Sequence, residues 1–303
     1  MPTSKKPRKP KTASVAVKRK PDVVTMLPDR RAMEGVLAML SSGLGASRPG
    51  GDALEDAQDL MYRAWETADQ RQRVALAKEA LSRSPLCADA YVLLAEETAK
   101  TPAEAIELYQ KGLEAGEKAI GPAAFQDDVG HFWGLLETRP YMRARGGLAQ
   151  AFWDVGHHDE AIEHYRELLR LNPNDNQGNR YLLAGCLLAL DRDADLTALL
   201  TAYGQESTAE WSYTWALIAY RRDGDSVEAR SLLEEATTAN SHVASYLLGR
   251  KKLPRKPVPY ITMGGEDEAQ EYARRYAAAW ANTEGALEWL TVRLPPDVKN
   301  VRR

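Results

Sequence analysis

Four charged residues stand close together behind an aromatic stretch: Glu137, Arg139, Arg143 and Arg145, beside Phe132, Trp133 and Tyr141. Such a cluster could hold a carboxylate or another anion, because a guanidinium presents a planar fork matched to oxyanion lone pairs. The same residues also read as structure, with Phe132 and Trp133 plugging a helical array and Glu137 paired with a nearby Arg. The structural reading is preferred, since structural ion pairs are commoner than sites.

Other residues with chemical potential lack the spacing that chemistry needs. His157, His158 and His164 lie near Asp159 and Glu160, yet no two His stand four apart to share one helix face as metal ligands. His157 and His158 fall at a turn between helices. The two cysteines, Cys87 and Cys186, are too few for a disulfide framework or a four-cysteine zinc site. Neither a Gly-rich phosphate loop nor a GxSxG elbow occurs. Gly264-Gly265 opens an acidic helix, where Asp267 and Glu268 would repel phosphate. Acidic pairs such as Glu96-Glu97, Asp127-Asp128 and Glu234-Glu235 are adjacent, so they point apart on a helix. The residues assign no catalytic group, no metal site and no cofactor; the chain reads as a non-enzyme.

Charge is distributed unevenly. The chain has 303 residues, with 40 Lys and Arg against 43 Asp and Glu. Eight of the cations lie in Met1–Lys20, which holds no anion, so the remainder carries about −11. The segment Lys5–Lys20 could neutralise nucleic-acid phosphates, and without aromatics it would do so with no sequence choice. That makes a nucleic-acid-associated adaptor the alternative function; a solubilising or tethering tail is the other reading. No apolar run near the N-terminus is long enough for a signal-peptide core, and none elsewhere reaches the length of a membrane span. The expectation is a soluble, cytoplasmic protein with no membrane partner.

The elements that would position these residues are helices. Residues 1–28 form a Lys/Pro-rich basic tail, expected to be disordered because it cannot bury enough apolar surface. Residues 29–53 hold a short helix, with Met33, Val36, Leu37 and Leu40 on one face, and a Gly/Ser/Pro-rich linker. Residues 54–249 hold about five helix pairs, interrupted by an insertion at 120–141. Residues 250–303 give a basic, Pro-rich hinge, C-terminal capping helices and a tail. There Tyr272, Tyr276 and Trp280 recur every fourth residue, and Thr283 is the expected N-cap of the last helix.

One block sets the pattern. Met142–Asp175 carries Arg145-x2-Leu148-Ala149-x2-Phe152, then Ala161-x3-Tyr165, then Pro173. Ala149 and Ala161 are small where the two helices of a pair cross, so their backbones can approach closely. Leu148, Phe152 and Tyr165 fill the space between pairs, and Pro173 stops the second helix. Weaker versions follow Tyr91-x2-Leu94-Ala95, Arg180-x2-Leu183-Ala184 and Tyr213-x2-Ala216-Leu217; in the first pair Arg73 stands where a small residue belongs. Thr101 and Glu104 flank Pro102 as a capping box.

These residues resemble the tetratricopeptide-repeat family over roughly Leu54–Asn240. His131–Ala144 and Leu171–Leu182 look similar to mainly bacterial repeat proteins sometimes grouped with the suppression of tumorigenicity 7 family. The resemblance implies an all-α, right-handed α-solenoid of antiparallel helix pairs acting as a binding scaffold. It also implies that the first helix of each pair lines a concave groove through its positions 2, 5, 9 and 12. Here those positions give Tyr62, Trp65, Arg143, Gln150, Trp153, Tyr181, Trp211 and Arg221. Such aromatics with scattered Arg and Gln suit an extended or helical peptide. Gly146, Gly178 and Gly185 stand where a chaperone-type carboxylate clamp wants Lys, Asn and Arg, so a chaperone C-terminus is not the expected ligand. The expected function is protein–protein interaction through this groove.

Overall fold

In the computed structural model of the chain, residues 30–42, 51–256 and 261–294 are described. Among them every regular element is a helix. Five antiparallel pairs follow one another: α2 (Gly51–Glu66) with α3 (Gln70–Arg83), α4 (Ala88–Thr98) with α5 (Pro102–Asp127), α6 (Arg139–Asp154) with α7 (His158–Leu171), α8 (Asn179–Ala189) with α9 (Asp193–Ala202), and α10 (Ala209–Asp223) with α11 (Val227–Ala239). Before them lies α1 (Arg30–Ser42); after them come α12 (Val243–Leu247), α13 (Glu266–Asn282) and α14 (Ala286–Arg293). The basic tail, most of the linker and part of the hinge lie outside the described residues.

Local chemistry explains the boundaries. Asp69, Thr101, Thr208 and Ser226 each accept a backbone N–H of the first turn, satisfying one of the donors a helix start leaves open. At Thr101 the box closes one residue out of register: Glu104 accepts from Lys100 N, at 2.7 Å, instead of from Thr101. The cap of α8 is built from below. Asp175, at φ 45°, accepts from Asn179 N and Arg180 N, at 2.7 and 2.8 Å. Thr283 is not the N-cap of α14. It closes α13 instead, its hydroxyl donating to Ala279 O, and Gly285 enters α14 with φ 74°.

The small residues do what close packing requires. Ala149, Ala161, Ala216 and Ala229 are all fully buried. Gly147 is the tightest: a Cβ there would lie 2.2 Å from the Tyr109 ring. Arg73, the misfit of the first pair, lies near the start of α3 and reaches outward. It donates to Thr67 O and Ala68 O and pairs with Glu97 of α4, so it staples the α2–α3 turn to the next pair.

The insertion begins inside α5, where Gly121 takes φ 76° ahead of Pro122 and kinks the helix. The chain then turns back over α7, with Gly130 N and Phe132 N both donating to Leu171 O. Phe132 is fully buried against Phe125 and Tyr141. The insertion is therefore a plug at the junction of α5, α6 and α7.

Candidate functional site

The site grows from one fully buried carboxylate. Asp89 lies in the first turn of α4, within an otherwise apolar helix face, and is 0% exposed. Arg143, in the second turn of α6, grips it with Nε on Oδ1 at 2.7 Å and Nη2 on Oδ2 at 2.6 Å. Gln58 of α2 adds a third donor to Oδ2, at 2.8 Å. Burial of an ion pair is tolerable only when hydrogen bonds satisfy both ions, and here a fork-to-fork pair plus an amide does so.

A second carboxylate arrives from α1. Glu34, 5% exposed, takes Arg143 Nη1 on both oxygens, at 3.1 and 3.0 Å, and Arg139 Nη1 on Oε1 at 3.1 Å. Two guanidiniums thus face two carboxylates. Since Asp89 belongs to the array, removing Glu34 would leave one positive charge uncompensated. That is a binding preference for an acid.

The rest of α1 seats itself through small residues. A Cβ at Gly35 would lie 3.0 Å from Tyr62 Cβ, so the helix approaches α2 at glycine distance. Ala32 and Ala38 are buried on the same face. Arg31 stacks over Trp65 at 4.9 Å and pairs with Glu96 of α4 at 3.0 Å, while Arg143 covers Trp65 at 5.3 Å. The Trp65 indole N–H, itself buried, has no hydrogen-bond acceptor. So α1 lies across the first helices of three successive pairs, α2, α4 and α6.

The apolar stripe of α1 faces away from the array: Met33, Val36, Leu37 and Leu40, expected on one face, are 56, 49, 49 and 66% exposed. Burying each such side chain ordinarily contributes about 1.5–3 kcal/mol. The Glu34 clasp and the close approach at Gly35 select the opposite face.

The C-terminal half repeats the theme with α13. Tyr276 donates to Glu210 of α10 and lies 3.3 Å from Tyr181 O of α8, and a Cβ at Gly185 would meet its ring. Arg275 also pairs with Glu210, at 3.4 Å. Burial pushes the Glu210 carboxyl up to about 7, against the opposing pull of Arg275 and Tyr276. Glu268, 7% exposed, joins three elements by accepting from Ala209 N, Asn240 Nδ2 and Gly264 N. At the far end Arg221 reaches Asp191 and Asp193 at the start of α9 and donates to Thr283 Oγ1 at 2.9 Å. The capping helix therefore does more than close the last pair, because it runs along α10 as far as α8.

The predicted groove residues consequently separate into groups. Tyr62, Trp65 and Arg143 lie under α1, while Tyr181 and Arg221 lie beside α13. Trp211 is 1% exposed and belongs to the core, its indole donating to Leu200 O and its ring set edge-on to Tyr181 and Tyr203. Gln150 is exposed, bonded to Asp154 and Tyr165. Trp153 is half-buried, 4.3 Å from the His158 ring. The expected open aromatic groove is largely filled by the chain's own end helices.

The predicted anion cluster also divides. Arg139 and Arg143 take Glu34, whereas Arg145 points to Tyr141 Oη and to His164, at 3.2 Å. Glu137 is exposed and borders a partly enclosed apolar cavity of about 50 Å³ with Leu54, Tyr62 and Ile120. It is not the acid of the cluster. Glu34 and Asp89, missed in the sequence, fill that role; the available signal was a lone charge inside each small or apolar helix face. Burial holds both thiols protonated, with Cys87 and Cys186 pushed up to about 12. Among the described residues no group of three or more His, Cys, Asp or Glu is placed to hold a metal ion. Nor is any helix among them long and apolar enough to cross a membrane.

Comparison with known proteins places this arrangement. Residues 49–300 match the family model described as ST7 protein, so the chain belongs to that family. It is 31% identical to the Suppressor of tumorigenicity 7 protein of Macaca fascicularis, over 79% of this chain and 53% of that one. The Suppressor of tumorigenicity 7 proteins of Rattus norvegicus and Mus musculus are 31% identical over the same share of this chain and 49% of theirs. The chain spans about half the length of these relatives. Helix α1 and the basic residues before it precede the matched region.

Proposed function

We propose that this member of the ST7 protein family is a non-enzymatic scaffold, built on a tetratricopeptide-like array, whose first-helix groove holds a helical segment of another protein. One observation carries the reading: α1 already lies there as a helical partner would. It offers a single carboxylate to Arg139 and Arg143, small residues to Tyr62, and a cation to Trp65. Helix-in-groove recognition works through such spaced anchors. The favoured ligand is a helix bearing one acidic side chain among Ala or Gly.

The test uses the full chain carrying Glu34→Gln, which weakens α1 at its buried carboxylate, and a fluorescent peptide of residues 30–42. Saturable binding, at least ten-fold tighter than to the parent chain, is expected. Adding Arg139→Gln should remove most of it. A Glu34→Gln protein that ignores the peptide while keeping its helical content would sink the proposal.

A further inference from the structure

The insertion plugs one junction and leaves a space beside another. Its residues Leu136 and Glu137, with Leu54 of α2 and Ile120 just before the kink of α5, border the partly enclosed cavity of about 50 Å³. The deep end is made of small residues, since Ala88 is 2% exposed and Gly116 is buried. Gly116 cannot be enlarged to fill it, because a Cβ there would lie 2.9 Å from Tyr141 Cβ. Leu54, Ile120 and Leu136 are half-buried walls. One water needs about 10–15 Å³ and two or more polar partners; this cavity has room for more atoms and walls that offer none. An apolar void left empty lowers stability.

We infer that this cavity is an anchor site for a cationic segment of a partner protein, in which one leucine-sized side chain fills the cavity and a neighbouring Lys or Arg meets Glu137. Charge selects the cation. The charged residues that border the cavity are Glu55 and Glu137, and none is Lys or Arg. Glu137 is exposed, and the guanidiniums expected to pair with it, Arg139 and Arg143, turn to Glu34 instead. The amide of Gln58 is already committed, donating to Asp89 at 2.8 Å. An acidic ligand would set a third carboxylate against two others, the kind of like-charge contact that suppresses a wrong partner.

Volume selects a side chain over a free small molecule. Small-molecule sites run to about 300–1,000 Å³, whereas this one holds only the tip of a branched aliphatic chain. The rest of the ligand must lie outside, as it does when an interface anchor enters a pocket. A phenyl ring is too large, since an engineered cavity that takes benzene measures about 150 Å³. The inference goes beyond the groove reading. The cavity shares Tyr62 with the α1 contact but uses none of Arg139, Arg143 and Trp65.

The experiment is an NMR titration of the full chain, labelled at its Ala, Ile and Leu methyls, with the peptide Gly-Ser-Lys-Leu-Lys-Ser-Gly. Counterparts with Glu-Leu-Glu or Lys-Gly-Lys at the centre serve as controls. Expected are saturable shifts at the Ala88, Ala119 and Ile120 methyls with the Lys-Leu-Lys peptide. The Lys-Gly-Lys peptide, lacking the anchor, should bind about ten-fold more weakly, and the Glu-Leu-Glu peptide should not bind. Ala119→Leu, which fills the cavity, should abolish the shifts of Ala88 and Ile120. Glu137→Lys, at an exposed position that leaves the fold intact, should weaken binding about five-fold and remove its decline with salt. Glu34→Gln should leave this binding unchanged, which separates it from binding in the groove. Three results would overturn the proposal: methyls that do not move, equal affinity for the Glu-Leu-Glu peptide, or undiminished binding by the folded Ala119→Leu or Glu137→Lys chain.

Discussion

Arg143 of α6 and Asp89 of α4 close a two-point, buried ion pair, at 2.7 and 2.6 Å, between the second turn of one first helix and the first turn of the one before it. The pair sits where the second and third array units meet. It determines how the next three substitutions behave.

Arg143→Ala leaves Asp89 charged, buried and short of its main partner. Breaking a buried pair from one side costs about 3–5 kcal/mol, and urea unfolding should show a loss of that size. The double change Arg143→Met with Asp89→Leu should recover much of it, because an apolar pair of similar volume has no charge to desolvate. Arg139→Gln should cost far less, since Arg139 otherwise only donates to Trp133 O and covers the Trp133 ring, and Glu34 keeps Arg143.

Neighbouring glycines of α6 should respond with opposite signs. At Gly147 a new Cβ would meet the Tyr109 ring at 2.2 Å; Gly147→Ala should destabilise by about 1–3 kcal/mol through overpacking. At Gly146 the nearest atom is Leu168 Cδ1 at 3.8 Å, an ordinary contact. Gly146→Ala should stabilise by about 0.5–1 kcal/mol, the helix-interior gain of Ala over Gly. Two thermal melts decide this.

The pH dependence of stability should contain two opposing contributions. Burial raises Glu210 from about 4.5 to about 7; the folded state then holds the extra proton, so its stability falls as pH rises through that window. Burial and Arg145 lower His164 from about 6.5 to about 4; its contribution is present above 6.5 and lost as pH falls toward 4. Glu210→Gln should therefore raise stability above pH 7 by on the order of 2 kcal/mol, while unmasking the acid loss due to His164. His164→Gln should leave the decline with rising pH. Denaturation midpoints across pH 4–8 for the three proteins read both slopes.

The helix pairs were legible because their signals are local. Ala149 with Ala161, Thr101 and Pro173 each act within a turn or between neighbours, and the every-fourth spacing of Tyr272, Tyr276 and Trp280 marks α13. Arg73 misled as a broken repeat because its partners, Thr67 O, Ala68 O and Glu97, are set by a turn geometry that spacing does not encode. The site was illegible for a related reason. Arg143 and Arg139 stood out, but Glu34 lies 109 and 105 positions away from them, and only packing brings it there. Position rules placed Tyr62, Trp65 and Trp211 on a groove wall without saying what covers it. In α1 the apolar stripe was visible, but periodicity names a stripe and not the side on which it faces.

Those long separations bear on how the molecule comes apart. A stack of repeats is held by neighbour contacts, so it frays from its ends and opens one unit at a time. Here Glu34 is tied to residue 143, and Tyr276 to residue 181. Each terminal helix is stitched to an interior unit, so the outermost pairs cannot peel away until a distant contact lets go. The array should lose its structure in few, large cooperative steps; a force applied at the N-terminus would first be borne by the Glu34 clasp, and one applied at the C-terminus would reach the Tyr276 contact once α14 lets go of Asp225.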